Sequence, residues 1–423
     1  MINLLKSSWP LFFGLALIMI GNGLQGTLLG VRASMEGFNT AATGFMMSLY
    51  YLGFVLGSYF VPKMVSSVGH IRVFTALASL ASSSVLLHGM FVDITLWSVA
   101  RMITGFSYAG LYIVVESWLN NMSTNKTRGK ILSIYLIVTF AGLIAGQFLL
   151  NVADPADIQL FVLTSILVSI ALLPISLSSR PAPSFEEPET ISFKRLLVSS
   201  PLGIACSLGT GLSAGIIFGL GAVYAAEIGL SVAQIASFMA AFMFGCMAFQ
   251  IPIGWLSDTY DRRLIIIAIS GISSLLAIGC FLTSGSPILF YLLFFALGGF
   301  SSPLYGQAIA HTNDHISERQ YVAAGATLIL INGVGAALGP FLVSIFMSTI
   351  SVHVYFPIIA VAYGSVFIYG LYRTQKRDAV PLEDQSDTML MPRAASPIVM
   401  NIMEESASTM KHMDGKDDPE DNS

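Results

Sequence analysis

The sequence predicts an all-α membrane protein: twelve transmembrane helices in two six-helix bundles with pseudo-twofold symmetry. Three observations predict it. Of the 423 residues, 55% are hydrophobic and 10% charged, whereas a soluble domain carries about 25% charged residues. The apolar residues form long uninterrupted runs, each near the ~20 residues that cross a bilayer as a helix, without the alternation of a barrel strand. Residues of one half also recur in the other at near-constant spacing.

The runs occupy residues 9–31, 40–62, 72–92, 95–118, 130–152, 158–178, 201–225, 232–256, 264–284, 286–310, 321–349 and 353–372. Lys6 precedes the first, which is too long for a signal-peptide core and is read as a span. Connections are short except 179–200, a polar stretch with Pro181, Pro183 and Pro188. It divides the chain into an N-terminal bundle (1–178), a cytoplasmic linker (179–200) and a C-terminal bundle (201–373). The formal charge of −4 is uneven. Residues 1–373 hold 15 Lys/Arg against 13 Asp/Glu, and residues 374–423 hold 5 against 11. Low hydropathy and high charge make 374–423 an expected disordered acidic cytoplasmic tail.

Basic residues set the orientation. With the N-terminus inside, the inside loops hold eleven Lys/Arg, among them Lys63, Lys126, Arg180, Arg262 and Arg319, and the outside loops hold only Arg32. Both termini are therefore expected on the cytoplasmic side of the membrane, and the sequons at Asn121 and Asn125 fall on the side that is not glycosylated.

The repeat runs the length of each half. Glu36 and Glu227 lie 191 residues apart, as do Thr40 and Ser231, the expected N-caps of the second and eighth spans; Gln234 would complete a capping box with Ser231. Gly53 and Gly245 differ by 192, and Gly142 and Gly146 precede Gly335 and Gly339 by 193. Two parallel repeats related by an axis along the membrane normal enclose a site near the midplane and can expose it to either side in turn.

One charged stretch, Pro252 to Arg263, separates the eighth and ninth spans. Gly254, Leu256, Asp258, Arg262 and Arg263 match the loop signature G-x-L-x-D-x-x-[GD]-R-[RK], so the chain resembles the major facilitator superfamily of secondary transporters. The first-half copy of the loop carries Ser66 where the acid is expected. That degenerate loop, the intact second copy and Glu116-Ser-Trp-Leu119 resemble the bacterial YcaD-type subgroup. The resemblance implies alternating access in the cytoplasmic (inner) membrane, a small-molecule substrate, and a loop in which Asp258 and its neighbours latch one conformation. Proton coupling is implied by the resemblance alone.

Arg101 to Gly105 resembles the family's R-x-x-x-G motif in the fourth span, associated with coupling. Arg101 either faces a cavity or snorkels to the outer surface. Asn22 and Gln25 share a face of the first span, flanked by Gly21, Gly23 and Gly26. The family lines its cavity with spans 1, 4, 7 and 10, which implies Tyr108, Tyr224, Ser301, Tyr305 and Gln307 beside them; each serves equally well as an interhelical hydrogen-bonding group. Glu116 is either a coupling or gating acid or a solvated helix end beside the interfacial anchor Trp118.

The remaining signals argue for absences. Cys206, Cys246 and Cys280 lie within apolar runs without C-x-x-C spacing and read as packing residues. His311 and His315 lack further ligands, so no metal is expected. No phosphate-binding loop surrounds Gly129-Lys130, so neither ATP hydrolysis nor any cofactor or enzyme activity is expected, and energy would come from a gradient. A monomer in the lipid bilayer without a nucleic-acid partner is expected. Two alternatives keep the same fold: an uncoupled facilitator, and a non-transporting membrane sensor or scaffold.

Overall fold

The computed structural model describes residues 2–122, 128–176, 192–283, 286–317 and 320–376, with 381 and 385. Residues 179–191 of the expected linker, nearly all of the expected tail, and Asn125, Lys126, Arg180 and Arg319 lie outside the described residues. In the first half the helices are α1 (Ile2–Met35), α2 (Thr40–Val68), α3 (His70–Met90), α4 (Ile94–Met122), α5 (Arg128–Leu149), α6 (Gln159–Ile170) and α7 (Leu172–Ser176). There follow α8 (Phe193–Ser199), α9 (Pro201–Glu227), α10 (Val232–Thr259), α11 (Arg262–Leu282), α12 (Pro287–Ser301), α13 (Leu304–Asn313), α14 (Tyr321–Thr349) and α15 (Tyr355–Thr374). Among the described residues there is no strand.

Eleven of the described helices are long and apolar enough to cross a membrane, counting Pro287–Asn313 as one; Gln159–Pro174 is a shorter apolar stretch at the sixth position. This agrees with twelve spans. Two spans expected as continuous are broken, and proline explains both. Pro174 has no N–H for the carbonyl of residue 170, where α6 ends, and Pro303 has none for residue 299, two residues before the end of α12.

The packing repeats between halves. α2 lies along α4 as α10 lies along α12; α1 pairs with α5 as α9 pairs with α14; α3 meets α6 as α11 meets α15. Across the halves, α2 packs on α14 and α5 on α10. The glycines that recur between the halves occupy equivalent contacts. A Cβ at Gly142 would press on Met19 and the Ala16 carbonyl of α1, and one at Gly335 on the Leu208 carbonyl of α9. Gly146 and Gly339 likewise abut the carbonyls of Ile20 and Leu212. Both partner pairs are 192 residues apart, so one three-dimensional contact has been kept twice.

Capping is less symmetric than expected. Ser231 forms the full capping box with Gln234. The N-cap of α2, however, is Asn39, whose side chain accepts from the Ala41 N–H. Thr40 stands one residue inside the helix, which frees its hydroxyl to donate to Glu227 Oε1 at 2.6 Å, from one half to the other. Beside this bond, Gly44 of α2 sits against Ser344 and Pro340 of α14, and Gly30 of α1 against Ala222 and Val223 of α9. No side chain at Gly30 or Gly44 would let these helices approach as they do. The halves are sealed together at the Thr40–Glu227 end.

Candidate functional site

A cavity of about 150 Å³ lies between the halves, beyond that seal. On the first half it is lined by Asn22, Gly23, Gly26 and Thr27 of α1, Tyr50, Tyr51, Phe54, Val55 and Ser58 of α2, Arg101 and Tyr112 of α4, and Thr139, Phe140, Leu143 and Gln147 of α5. The second half contributes Ala214, Phe218, Met239, Met243, Tyr305, Asn332 and apolar residues of α14.

Most of the polar lining is already held by hydrogen bonds. The Asn22 amide donates to the Tyr112 hydroxyl at 2.9 Å. Thr27 donates to Gln147 Oε1 at 2.6 Å, and Gln147 Nε2 donates to the Gly23 carbonyl at 2.7 Å. Gln147 thus ties α5 to α1 at the position where the second half carries Pro340, which packs on Gly219. The Asn332 amide donates to the Ser207 carbonyl and Thr210 hydroxyl of α9. Among the described residues, Arg101 Nε and the hydroxyls of Ser58 and Tyr305 are left without a hydrogen-bond partner.

Arg101 does not reach the surface. It is 4% exposed and its guanidinium carbon stands 4.4 Å from the centre of the Tyr50 ring. Beside Tyr50 the aromatic wall continues with Tyr51 at 5.3 Å edge-on, and Tyr108 packs behind it with its ring 6.4 Å from that of Tyr50. Gly105, one turn beyond Arg101, brings α4 against the Tyr50 carbonyl. That close approach of α2 sets the ring beneath the cation. The equivalent glycine, Gly298, meets the Phe242 carbonyl in the same way. There, however, Phe294 occupies the place of Arg101, stacked on Phe238 at 4.0 Å and near Phe242 at 5.0 Å. The same frame holds a cation in one half and an apolar stack in the other.

Of the residues expected at the cavity, Asn22, Arg101 and Tyr305 line it, and the others do not. Gln25 is fully buried with both amide atoms unpartnered. Tyr108 is one ring behind the wall. Tyr224 stacks on Tyr355 at 4.5 Å, because position 224 is close to the sealed end of α9, where side chains pack rather than enclose space. Ser301 is buried near the break of the tenth span. Gln307 accepts from the Ser257 hydroxyl beneath the charged loop. Tyr50, Tyr51, Phe54, Tyr112, Gln147 and Asn332 were not anticipated. Amides inside a span are a readable signal, and Gln147 and Asn332 carry it; nothing local distinguishes the tyrosines.

The charged loop organises one end of the second half. Arg262, 1% exposed, places Nη1 at 2.7 Å from both carboxylate oxygens of Asp314. Its Nη2 is 3.8 Å from Asp258, which is 44% exposed. Asp261 caps α11 by accepting from the Arg263 N–H and also pairs with the Arg263 guanidinium at 3.0 Å. Gly254 is buried in α10 one turn earlier. These pairs join α10, α11 and the end of α13 within one half. Ser66, in the other copy, is exposed and donates to the Lys63 carbonyl.

Glu116 is not a solvated helix end. It is 1% exposed and accepts from the Tyr135 hydroxyl of α5 at 2.5 Å. Trp118 is not an exposed anchor either: it is 3% exposed with the His70 ring 6.2 Å away. The last turns of α4 are covered by α3 and α5, a tertiary effect that helix position alone does not reveal.

The family model for the Major Facilitator Superfamily matches residues 11–226 and 202–402. The chain is 25% identical over 379 residues to the uncharacterized MFS-type transporter YcaD of Escherichia fergusonii, covering 88% of this chain and 97% of the relative. It is 27% identical over 376 residues to an uncharacterized MFS-type transporter of Yersinia pestis, covering 87% and 95%. Among solved structures, the nucleoside transporter NupG aligns with a TM-score of 0.71 at 13% identity, over 88% of this chain and 99% of that one. A bacterial homologue of the human lysosomal transporter Spinster, in an inward-facing and occupied conformation, aligns with a TM-score of 0.63 at 16% identity, over 95% and 96%. With its paired halves, central cavity and charged loop, this chain is a multi-pass membrane protein that belongs to the major facilitator superfamily and is similar to its YcaD-type transporters.

Proposed function

We propose that the protein is a secondary active transporter that moves a small solute across the cytoplasmic (inner) membrane by alternating access. The observation that carries this reading is the cavity between pseudo-symmetric halves, closed at one end by the Thr40–Glu227 bond and lined by polar groups without partners. A site at such an interface changes sides when the halves rock. Both termini are cytoplasmic, so the sealed end faces outward. Residues 1–178 and 201–373 act as the rocking bodies, joined by the 179–200 linker and followed by the 374–423 tail. Arg101 and Asn22 hold the solute. Asp258, Arg262 and Arg263 brace the cytoplasmic gate with Gly254, and Glu116 is the coupling acid, since it is a carboxylate buried within the helix bundle that accepts from the Tyr135 hydroxyl at 2.5 Å.

Proteoliposomes of the purified protein test the reading. Radiolabelled sugars, amino acids, nucleosides and organic acids are offered in counterflow, then under a pH gradient. Counterflow with uphill uptake is the expected result. Counterflow without it identifies a facilitator. No counterflow for any solute class discards the carrier reading and leaves a sensor or scaffold.

A further inference from the structure

Every partly or fully enclosed cation needs a compensating group, because a charge withdrawn from water is costly unless paired. Among the described residues the other fully buried arginine has such a group, Arg262 pairing with Asp314 at 2.7 Å, and the part-buried Arg32 pairs with Glu36 at 2.6 Å. Arg101 does not. It is 4% exposed, Nε has no hydrogen-bond partner, and among the described residues no Asp or Glu lines the cavity it faces. What it has is the face of Tyr50 at 4.4 Å. A cation–π contact offsets part of the desolvation but leaves the in-plane N–H donors of the guanidinium unsatisfied. Those donors match a carboxylate in geometry.

The cavity is also polarised. Its first-half wall carries the cation and most of the polar groups, whereas the second half presents chiefly Phe218, Met239, Met243 and Ile329. The Phe294 stack shows that this asymmetry is built in at the position equivalent to Arg101.

We propose that the solute carried here is an organic monoanion with an apolar body, its carboxylate seated on Arg101 and its body against the second-half wall. The inference rests on the transport reading above and names its substrate class. A single cation balances one negative charge. A phosphate ester brings about −1.5 to −2 and leaves the excess unpaired. An organic cation, or the ammonium of an amino acid, finds no acid in the lining.

Titration calorimetry on the purified full-length protein provides the test, with three matched sets of probes: benzoate, phenylacetate and 4-methylvalerate, each with its amide and its amine, plus phenyl phosphate. At least one carboxylate should bind roughly 10- to 100-fold tighter than its amide, the range for hydrogen bonds to a charged group. Its amine should not bind, and phenyl phosphate should bind more weakly than benzoate. Arg101→Gln should abolish the preference for carboxylate over amide, and Arg101→Lys should keep part of it. An amide or amine binding as tightly as its carboxylate, tighter phenyl phosphate binding, a preference that survives Arg101→Gln, or no carboxylate binding at millimolar concentration overturns the proposal. The probe ladder on the wild-type protein decides the matter even where a variant fails to fold. Proteoliposomes loaded with the bound carboxylate separate this from the transport reading. Binding without counterflow discards the carrier and keeps the anion site; counterflow of an amide that is indifferent to Arg101 keeps the carrier and discards the anion.

Discussion

Replacing Asp314 by leucine should destabilise the second half through the charge it leaves behind. Arg262 and Asp314 have side chains 1% and 2% exposed, with Nη1 at 2.7 Å from both oxygens. Removing one partner of a buried pair typically costs ~3–5 kcal/mol, whereas replacing both by apolar residues of similar size is often nearly neutral. Asp258, 3.8 Å from Nη2 and partly in solvent, can rotate to take over part of the pairing, so the low end of that range applies. Asp314 also follows the last turn of α13, where the helix dipole disfavours an anion; losing it there returns a few tenths of a kcal/mol. The expected cost of Asp314→Leu is about 3 kcal/mol, roughly a hundredfold in the unfolding equilibrium. The assay is unfolding of the purified protein in mixed detergent–denaturant titrations, run for Asp314→Leu, Arg262→Met and the double variant. The double variant should recover more than half of the loss. A single-variant cost below about 1 kcal/mol, the range of a surface pair, or a double variant as costly as the two singles together would refute the argument that a stranded charge is the cause.

Three further outcomes follow from the packing and the site. Gly105→Ala would place its Cβ in the Tyr50 carbonyl and should lower stability by about 1–3 kcal/mol. Gly26→Ala, which meets open space, should be neutral; equal losses in thermal unfolding would count against the close-approach account. Thr40→Val removes the bond to Glu227 and should raise maleimide labelling of a Ser344→Cys reporter, buried in the seal, roughly 2- to 10-fold. The three native cysteines are buried, so an unchanged rate would mean that the bond does not hold the halves. Glu116→Gln should abolish pH-gradient-driven uptake and spare counterflow; intact uphill uptake would remove Glu116 from coupling.

The fold was legible because a bilayer imposes rules that act locally. A span must be apolar for ~20 residues and satisfy its own backbone, so helices, their number and the six-plus-six repeat are written in linear order. The small-residue spacing of Gly142, Gly146, Gly335 and Gly339 was readable for the same reason, since contact between two helices repeats with the helical period. The breaks at Pro174 and Pro303 were open to reading from the two prolines alone and were still missed, because hydropathy continues across them.

The cavity was less legible. Asn22, Arg101 and Tyr305 stand out as polar or aromatic groups in spans, but Tyr224 and Gln307 have the same appearance and lie elsewhere. Which face of an apolar helix borders empty space depends on how far its neighbours stand off, and that is set by glycines on other helices. Gly105 holding α4 against Tyr50 is the clearest case.

The sequence by itself determined the membrane class, the helix order, the duplication and the presence of one cation within a span. Only the tertiary structure decided that Arg101 turns into a cavity without an acid, that Phe294 fills its counterpart position, that Glu116 is buried against Tyr135, and that Thr40 bonds to Glu227 rather than capping its own helix. The first set follows from short-range backbone and solvation constraints. The second depends on distances between residues about 20 to 190 positions apart, which no local pattern encodes.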